Sequence, residues 1–220
     1  MAVKVFEHIV DGGSVFADVD IFTDENIEVL FKRFIGAPEV DGDSSFAGKL
    51  AIQFDGVADG PILLFAEAVL LQIGPLDQFY LDTKIRYVQE VLDLASESYA
   101  IPEYVRVALG HGTFGGGQRF SMKRYEHMVF VLELIRFVRT LDRDDQQALL
   151  RDPVKCAELV RSAPGPYEPS LRNSIIYQLH PDYYQPIVSE KAKAQIVEAF
   201  CAEVLGREPS DNRLFRIRSA

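Results

Sequence analysis

The stretch "SMKRYEHMVFVLELIRFVRTL", residues 121–141, decides the fold class. Its polar side chains form one narrow stripe, which consists of Lys123, Glu126, Glu133, Arg136 and Thr140. A helix that is apolar around most of its circumference belongs in the interior of a domain. We therefore predict a central helix over residues 121–141, with further helices packed around it.

Helical patterns dominate the chain on both sides of this stretch. "TDENIEVLFKRFIG", residues 23–36, starts at the N-cap candidate Thr23, has acids in its first turn and ends at Gly36. Apolar side chains at helical spacing recur from residue 45 onward, and strand-like alternation is almost absent. The sequence predicts a mainly α protein, a bundle of about nine to eleven helices. Only residues 3–22 are also compatible with a short β-hairpin, turning at Asp11-Gly12-Gly13.

The negative charge of the chain is concentrated in its first half. The formal net charge is -10, and residues 1–100 carry 18 of the 33 acids but only 6 of the 23 Lys and Arg residues. We predict an acidic N-terminal helical subdomain, 1–100, and a second helical subdomain, 101–220, that share a contact surface; "SAPGPYEPS", residues 162–170, is the best linker candidate. The global acidity excludes non-specific coating of nucleic acid and leaves room for a local basic face in the second half.

Targeting and metal-binding signals are missing from the sequence. The start "MAVKVFEHIVDGG" has no signal-peptide pattern, and the most apolar window, residues 61–74, contains Glu67 and is shorter than the roughly 20 residues that span a bilayer. We expect a cytoplasmic protein that does not enter a membrane. Cys156 and Cys201 are predicted to be buried reduced thiols. No metal site and no cofactor is predicted, because the four histidines never fall at ligand spacing.

The loop "GHGTFGGGQRF", residues 110–120, has five glycines in eight positions. It fits G-x-G-x-x-G, but a helical pattern precedes it and no second strand comes after it, so a dinucleotide site is not predicted. A Walker A loop is excluded because Gln118 and Arg119 stand where Lys and Ser or Thr would bind phosphate and magnesium. We predict a corner between two helices. The alternative is an anion-binding loop, and its residues would be Gly115, Gly116, Gly117 and Arg119.

Basic residues of the second half occur in clusters with aromatic residues between them. The clusters are Arg119, Lys123 and Arg124; Arg136, Arg139 and Arg143; and Arg207, Arg213, Arg216 and Arg218. They are either solvated helix faces or a nucleic-acid surface, and one continuous basic face would favour nucleic acid whereas scatter would favour a protein partner. On charge alone, the candidate contacts to DNA or a partner are Arg119, Lys123, Arg124, Lys191 and Lys193.

The run "LRNSIIYQLHPDYYQPIVSEKAKAQIVEAF", residues 171–200, resembles the segment that precedes the motor in McrB-like AAA+ proteins of bacterial restriction and phage-defence systems. The matching residues are Leu171, Arg172, Pro181, Asp182, Tyr183, Pro186, Ile187, Val188, Ser189, Lys191, Ile196, Val197 and Phe200. "DNRLFRIRSA", residues 211–220, is similar to the next stretch of that family region, with matches at Asp211, Arg213, Leu214, Ile217 and Arg218. The resemblance extends over about residues 45–220 and is clearest in the pre-motor segment 171–218.

The resemblance implies a non-catalytic N-terminal recognition or adapter module that binds DNA or a partner. Its partners would be an AAA+ motor domain, in the same or another chain, and a nuclease subunit. The chain departs from the family in having Val154 after Asp152-Pro153, where the family usually has Trp, and it lacks the Walker A and B elements. Two alternatives remain: a protein-interaction or assembly module that does not bind nucleic acid, and an enzyme that uses the glycine-rich loop for a phosphorylated substrate.

Overall fold

The computed structural model describes residues 1–37, 45–200 and 210–219, and for residues 118, 119, 121, 210 and 219 it describes the backbone alone. The α-helices in these ranges are α1 (Ala2–Asp11), α2 (Asp24–Leu30), α3 (Phe46–Gln53), α4 (Asp59–Ile73), α5 (Leu81–Leu92), α6 (Glu103–Leu109), α7 (Gly117–Met122), α8 (Arg124–Thr140), α9 (Arg143–Arg151), α10 (Pro153–Ser162), α11 (Pro169–Leu179), α12 (Glu190–Ala199) and α13 (Ser210–Ser219). A π-helical turn, Phe31–Ile35, continues α2. No strand occurs in the described ranges, so the mainly α class is confirmed, with more helices than the about nine to eleven predicted.

The N-terminal segment is a helix, and the hairpin considered for residues 3–22 is wrong. Helix α1 buries Val5, Phe6 and Ile9, which lie on one face at helical spacing. The chain turns after it at Gly12, where φ is 87°. The valines of the first turn also alternate with polar residues, and a run this short fits both the helical and the strand period.

The core forms where α4 packs against α2, α5 and α8. Every side chain of α4 from Pro61 to Ile73 is buried. Helix α8 buries most of its side chains between His127 and Val138. The buried apolar side chains form one cluster to which both proposed subdomains contribute, and the division at residue 100 stays a prediction. None of the helices in the described part of the chain is both long and apolar enough to cross a membrane.

A buried lysine joins the ends of two helices. The Lys84 side chain is almost fully buried, and its Nζ donates to the carbonyl oxygens of Gly74, at 2.8 Å, and Leu109, at 3.0 Å. These two residues end α4 and α6. The last carbonyls of a helix have no partner within it and carry partial negative charge, so a cation satisfies both requirements. Burial lowers the pKa of Lys84.

The glycine-rich loop between α6 and α7 packs directly on the backbone of residues 75–78. Two of its amides, Thr113 and Phe114, donate to the Pro75 carbonyl oxygen at 2.8 and 3.2 Å, and the Asp77 amide donates to the Phe114 oxygen at 3.0 Å. A β-carbon on Gly112 would lie 2.7 Å from the Asp77 amide nitrogen, so only glycine fits there. The loop therefore turns a corner between two helices.

Candidate interaction cleft around Tyr167

A cleft lies on both sides of the connection between α10 and α11. Tyr167 stands in its middle with 80% of its surface exposed. The cavity on one side has a volume of about 360 Å³, and we call it the Lys123 cavity; it is lined by Gly116, Phe120, Lys123, His127, Tyr167, Glu168, Pro169 and Ser170. The cavity on the other side has a volume of about 320 Å³, and we call it the Asp211 cavity; it is lined by Arg161, Tyr167, Pro169, Arg172, Asn173, Glu190 and Asp211. Together they form the Tyr167 cleft.

A buried arginine braces the loop that carries Tyr167. The Arg172 guanidinium donates to the carbonyl oxygens of Val160, at 2.6 Å, Ala163, at 2.9 Å, and Pro166, at 3.4 Å. Its Cζ lies 4.1 Å from the centre of the Phe130 ring. A planar guanidinium with several donors can hold several carbonyls at once, which a lysine cannot do in the same geometry. The loop is thus tied at both ends to α11 and to the core.

Three ionisable side chains meet in the Lys123 cavity. The Lys123 ammonium pairs with the Glu168 carboxylate, whose other oxygen lies 3.6 Å from His127 Nε2. His127 is almost fully buried beside the Phe120 ring, with 4.1 Å between ring centres, and its Nδ1 has no hydrogen-bond partner. Burial lowers the pKa of His127 in spite of the opposing effect of Glu168. Burial thus disfavours the charged imidazolium, and the cavity contains one side-chain cation, Lys123, paired with one carboxylate, Glu168.

Two helices begin at the wall of the Lys123 cavity. Helix α8 has Lys123 as its N-cap and α11 has Glu168, and neither side chain accepts a hydrogen bond from its own helix. The first amides of a helix have no partner within it and carry partial positive charge. The starts of α8 and α11 thus lie beside a cavity whose side-chain charges cancel.

The Asp211 cavity contains a buried ion cluster that joins α10, α12 and α13. The Asp211 carboxylate pairs with Arg161 and with Lys193, whose Nζ is 2.6 Å away. Glu190 Oε1 is 3.7 Å from the same Nζ and accepts a hydrogen bond from Asn173 at 2.6 Å. Both Asp211 and Lys193 are buried. The cluster holds α12 and α13 on the rest of the fold.

Of the five basic residues predicted on charge alone, the structure describes the side chains of four, and three of these contact groups of the same chain. Lys123 and Lys193 form the ion pairs just described, and Lys191 is exposed. Arg124 lies over two aromatic rings of the same chain, and burial lowers its pKa. The side chain of Arg119 lies outside the described part of the structure.

The basic cluster on α8 and α9, which consists of Arg136, Arg139 and Arg143, also contacts other groups of the same chain. Arg136 stacks on the Phe31 ring, with 3.8 Å from Cζ to the ring centre. Arg139 and Arg143 donate to carbonyl oxygens at the end of α1, at 3.2 and 3.1 Å. These side chains stabilise helix ends and aromatic faces, as cations commonly do in proteins.

In the glycine-rich loop, the amide of Gly117 donates to Gln78 Oε1 at 2.7 Å, and Gly116 lines the Lys123 cavity. Gly115 lies at the loop surface. The side chain of Arg119, the fourth residue of the predicted anion loop, lies outside the described part of the structure. The loop thus contributes one wall of the Lys123 cavity.

The sequence did not single out the residues that shape the cleft, namely Tyr167, Glu168 and His127. Tyr167 and Glu168 lie in the stretch taken as a linker, between two prolines. The pair Glu168-Pro169 could have indicated the start of a helix, because an acid followed by proline is typical of that position. His127 on the apolar side of the central helix was a second signal, since a buried imidazole needs polar partners.

Other ionisable groups lie apart from the cleft or within the core. Cys156 is buried, and burial raises the pKa of its thiol to about 12, whereas Cys201 lies outside the described residues. Across the described ranges, no three His, Cys, Asp or Glu side chains stand close enough to hold a metal ion. Comparisons with family models, with curated proteins and with solved structures gave no match to this chain. The resemblance to McrB-like proteins stays a prediction.

Proposed function

We propose that the chain is a non-catalytic recognition module that binds a protein partner through the Tyr167 cleft. The observation that supports this most strongly is the use of its basic side chains. Three of the five candidates, Lys123, Arg124 and Lys193, contact carboxylates or aromatic rings of the same chain. Side chains engaged in this way offer little free charge to a phosphate backbone, and neutralised phosphates are what drive non-specific DNA binding.

Tyr167 has the properties of an anchor residue in a protein interface. It is exposed, it belongs to the loop that Arg172 braces, and it has a cavity on each side. Tyrosine is enriched among the residues that dominate binding energy, and a loop that is ordered before binding loses less entropy on association. A partner can therefore pack around the ring and insert side chains into both cavities.

The resemblance to McrB-like proteins gives the first partners to test. In this proposal the AAA+ motor domain supplies nucleotide hydrolysis, the nuclease subunit joins it, and this module selects the target or holds the assembly. DNA remains the alternative ligand. Lys191 favours it, because this exposed lysine is free to meet a phosphate.

Site-specific photocrosslinking in cells tests the proposal. A photoreactive phenylalanine at position 167 should give discrete protein adducts, whereas the same residue at position 80 should not. Tyr80 is a matched control because it is an equally exposed tyrosine, at 87%, that does not line the cleft. Equal adducts from both positions, or no adduct at position 167, would contradict the proposed partner surface.

A direct DNA-binding measurement separates the alternatives. Fluorescence anisotropy with modified and unmodified duplexes should show no saturable binding at about 50 mM or about 200 mM salt. Tight binding that weakens steeply with salt would instead make DNA the ligand, and a Lys191→Gln variant would then show whether this lysine contacts phosphate.

A further inference from the structure

Helices α12 and α13 form a hairpin that packs mainly on itself, and we call it the α12–α13 hairpin. Within the described residues, the two helices pack on each other more extensively than on any other helix. Among these residues, the buried apolar side chains of the hairpin are Val197 and Leu214, and both lie outside the apolar cluster that forms the core. The buried Lys193–Asp211 pair joins the two helices to each other. The hairpin therefore has a small interior of its own.

The hairpin meets the rest of the chain through polar and aromatic contacts. Of the described side chains, those that make these contacts are Arg161 with Asp211, Asn173 with Glu190, and Tyr183 with Phe215. The Asn173 amide donates to Glu190 at 2.6 Å, and the Tyr183 ring stacks on Phe215 with 4.4 Å between ring centres. Two parts of a chain that meet through a polar interface are expected to move relative to each other, unlike parts joined by a large apolar interface.

The same interface contains a cavity. The Asp211 cavity has Glu190 and Asp211 of the hairpin on one side and Arg161, Arg172 and Asn173 on the other, with a volume of about 320 Å³. Protein interiors are close-packed and have few voids larger than a water molecule. Because this interface leaves such a volume between its two sides, it is not packed as a core is, and its sides can separate with a small loss of contacts.

The chain enters the hairpin at Ser189. The residue before it, Val188, packs against the core, and its carbonyl oxygen accepts a hydrogen bond from Asn173 at 3.0 Å. Ser189 itself caps α12, since its hydroxyl accepts from the Ala192 amide at 3.3 Å. One residue thus separates the part of the chain that is held by the core from the first turn of the hairpin. Hinges in proteins are typically such residues at the end of an element.

Separation of the two sides does not leave the buried Asp211 carboxylate without a partner. Its Oδ1 pairs with Lys193 within the hairpin, and its Oδ2 pairs with Arg161 across the interface. The Arg161 side chain is 39% exposed, so water replaces the carboxylate readily. A partly exposed ion pair contributes little stability, whereas a buried charge that loses every partner is costly. The Arg161 contact can therefore break while the Lys193 contact persists.

We infer that the α12–α13 hairpin moves as a unit about Ser189 and opens or closes the Asp211 side of the Tyr167 cleft. In the closed state, which the structure describes, Arg161 binds Asp211 and the cavity has both of its walls. In the open state, the wall formed by Glu190 and Asp211 moves away from Tyr167 and the cavity widens. This inference goes beyond the function proposed above, because the hinge operates with or without a partner.

Double electron–electron resonance on the full chain tests the inference. Nitroxide labels on Glu158→Cys and Gln195→Cys, both exposed positions, report the distance between α10 and α12. Cys201→Ser is introduced as the background, and the buried Cys156 thiol is inaccessible to the label. We expect a shorter and a longer distance. The ratio of longer to shorter should rise about fivefold in Arg161→Gln, because this variant lacks the ion pair across the interface.

A matched variant and a second label pair make the test specific. Arg143→Gln removes the arginine of another Arg–Asp pair, the one with Asp11, and should give the wild-type distances. Labels on Gln195→Cys and Arg218→Cys, which both lie on the hairpin, should keep one distance in the wild-type chain and in Arg161→Gln. A broadened distance for this pair in Arg161→Gln would show that the hairpin unfolds and would overturn its motion as a unit.

Two further outcomes would refute the hinge. One is a single, unchanged distance between positions 158 and 195 in the wild-type chain and in Arg161→Gln. The other is an equal effect of Arg161→Gln and Arg143→Gln, which would show that the interface contact has no special role.

The hinge and the partner surface can fail separately. Crosslinks at position 167 together with a single distance between positions 158 and 195 would leave the partner surface and remove the hinge. Two distances without crosslinks would leave the hinge and remove the partner surface.

Discussion

The buried cluster at Asp211 allows a quantitative prediction for Asp211→Asn. This change keeps the side-chain shape but removes the charge that Lys193 contacts at 2.6 Å. Lys193 is then a buried cation whose remaining carboxylate, Glu190, is 3.7 Å away. Loss of one partner of a buried ion pair costs about 3–5 kcal/mol, and an amide oxygen that still accepts a hydrogen bond should reduce this to about 2–3 kcal/mol.

Hydrogen exchange measures this cost where it occurs. Because the cluster joins α13 to α10 and α12, amides of α13 should exchange about 30- to 150-fold faster in Asp211→Asn than in the wild-type chain. Glu133→Gln is the control, since the Glu133–Arg136 pair is partly exposed and should contribute less than about 1 kcal/mol.

A double variant tests the physical reason for the loss. Lys193→Met combined with Asp211→Asn leaves no buried charge without a partner, so α13 should be better protected in the double variant than in Asp211→Asn alone. If the double variant loses as much protection as Asp211→Asn and Lys193→Met lose together, the cost does not come from the unpaired lysine. Wild-type exchange in Asp211→Asn would refute the same assignment.

Three further predictions concern groups elsewhere in the core and the loop. Burial raises the pKa of Glu67 to about 7 from 4.5, so the folded chain holds a proton that the unfolded chain has lost. The free energy of unfolding should therefore fall by roughly 3 kcal/mol as pH rises from about 5 to 8. In urea denaturation, the free energy of unfolding of Glu67→Gln should depend less on pH. Lys84→Met should lower the free energy of unfolding by about 2–4 kcal/mol, because two helix ends lose their donor, whereas the exposed Lys4→Met should change it by less than about 0.5 kcal/mol; equal effects of the two would contradict this role. Arg172→Lys should lower the backbone order parameter of Tyr167 from about 0.85 to below about 0.6 in ¹⁵N relaxation, and an unchanged value would show that the loop is braced by its prolines.

Most helices could be predicted because their signals are local. Thr23 accepts a hydrogen bond from the Asn26 amide at 3.2 Å, and Ser189 accepts one from the Ala192 amide at 3.3 Å, as expected of N-cap residues. The apolar faces of these helices follow from the spacing of the apolar residues alone. Helix α1 was missed since its first turn fits two periods, and packing against α8, α9 and α11 decides between them.

The cleft could not be predicted in the same way because its contacts join distant parts of the chain. Lys123 and Glu168 are 45 residues apart, and Arg161 and Asp211 are 50 apart. Residue type and spacing reveal that a lysine is charged, but only the packing of helices decides whether a carboxylate reaches it. Two of the five residues predicted as basic contacts, Lys123 and Lys193, thus lie in internal ion pairs that residue type and spacing do not reveal.

Gly112 acts as a spacer of fixed thickness. Since its backbone touches that of Asp77 with no room for a methyl group, the distance between the α6 end and the segment before α5 is set by two main chains alone. Any larger residue would push the loop outward and carry Gly116 with it, which would widen the mouth of the Lys123 cavity. Saturation mutagenesis scored for partner binding should accordingly find position 112 intolerant even to alanine, at a site that no ligand needs to touch.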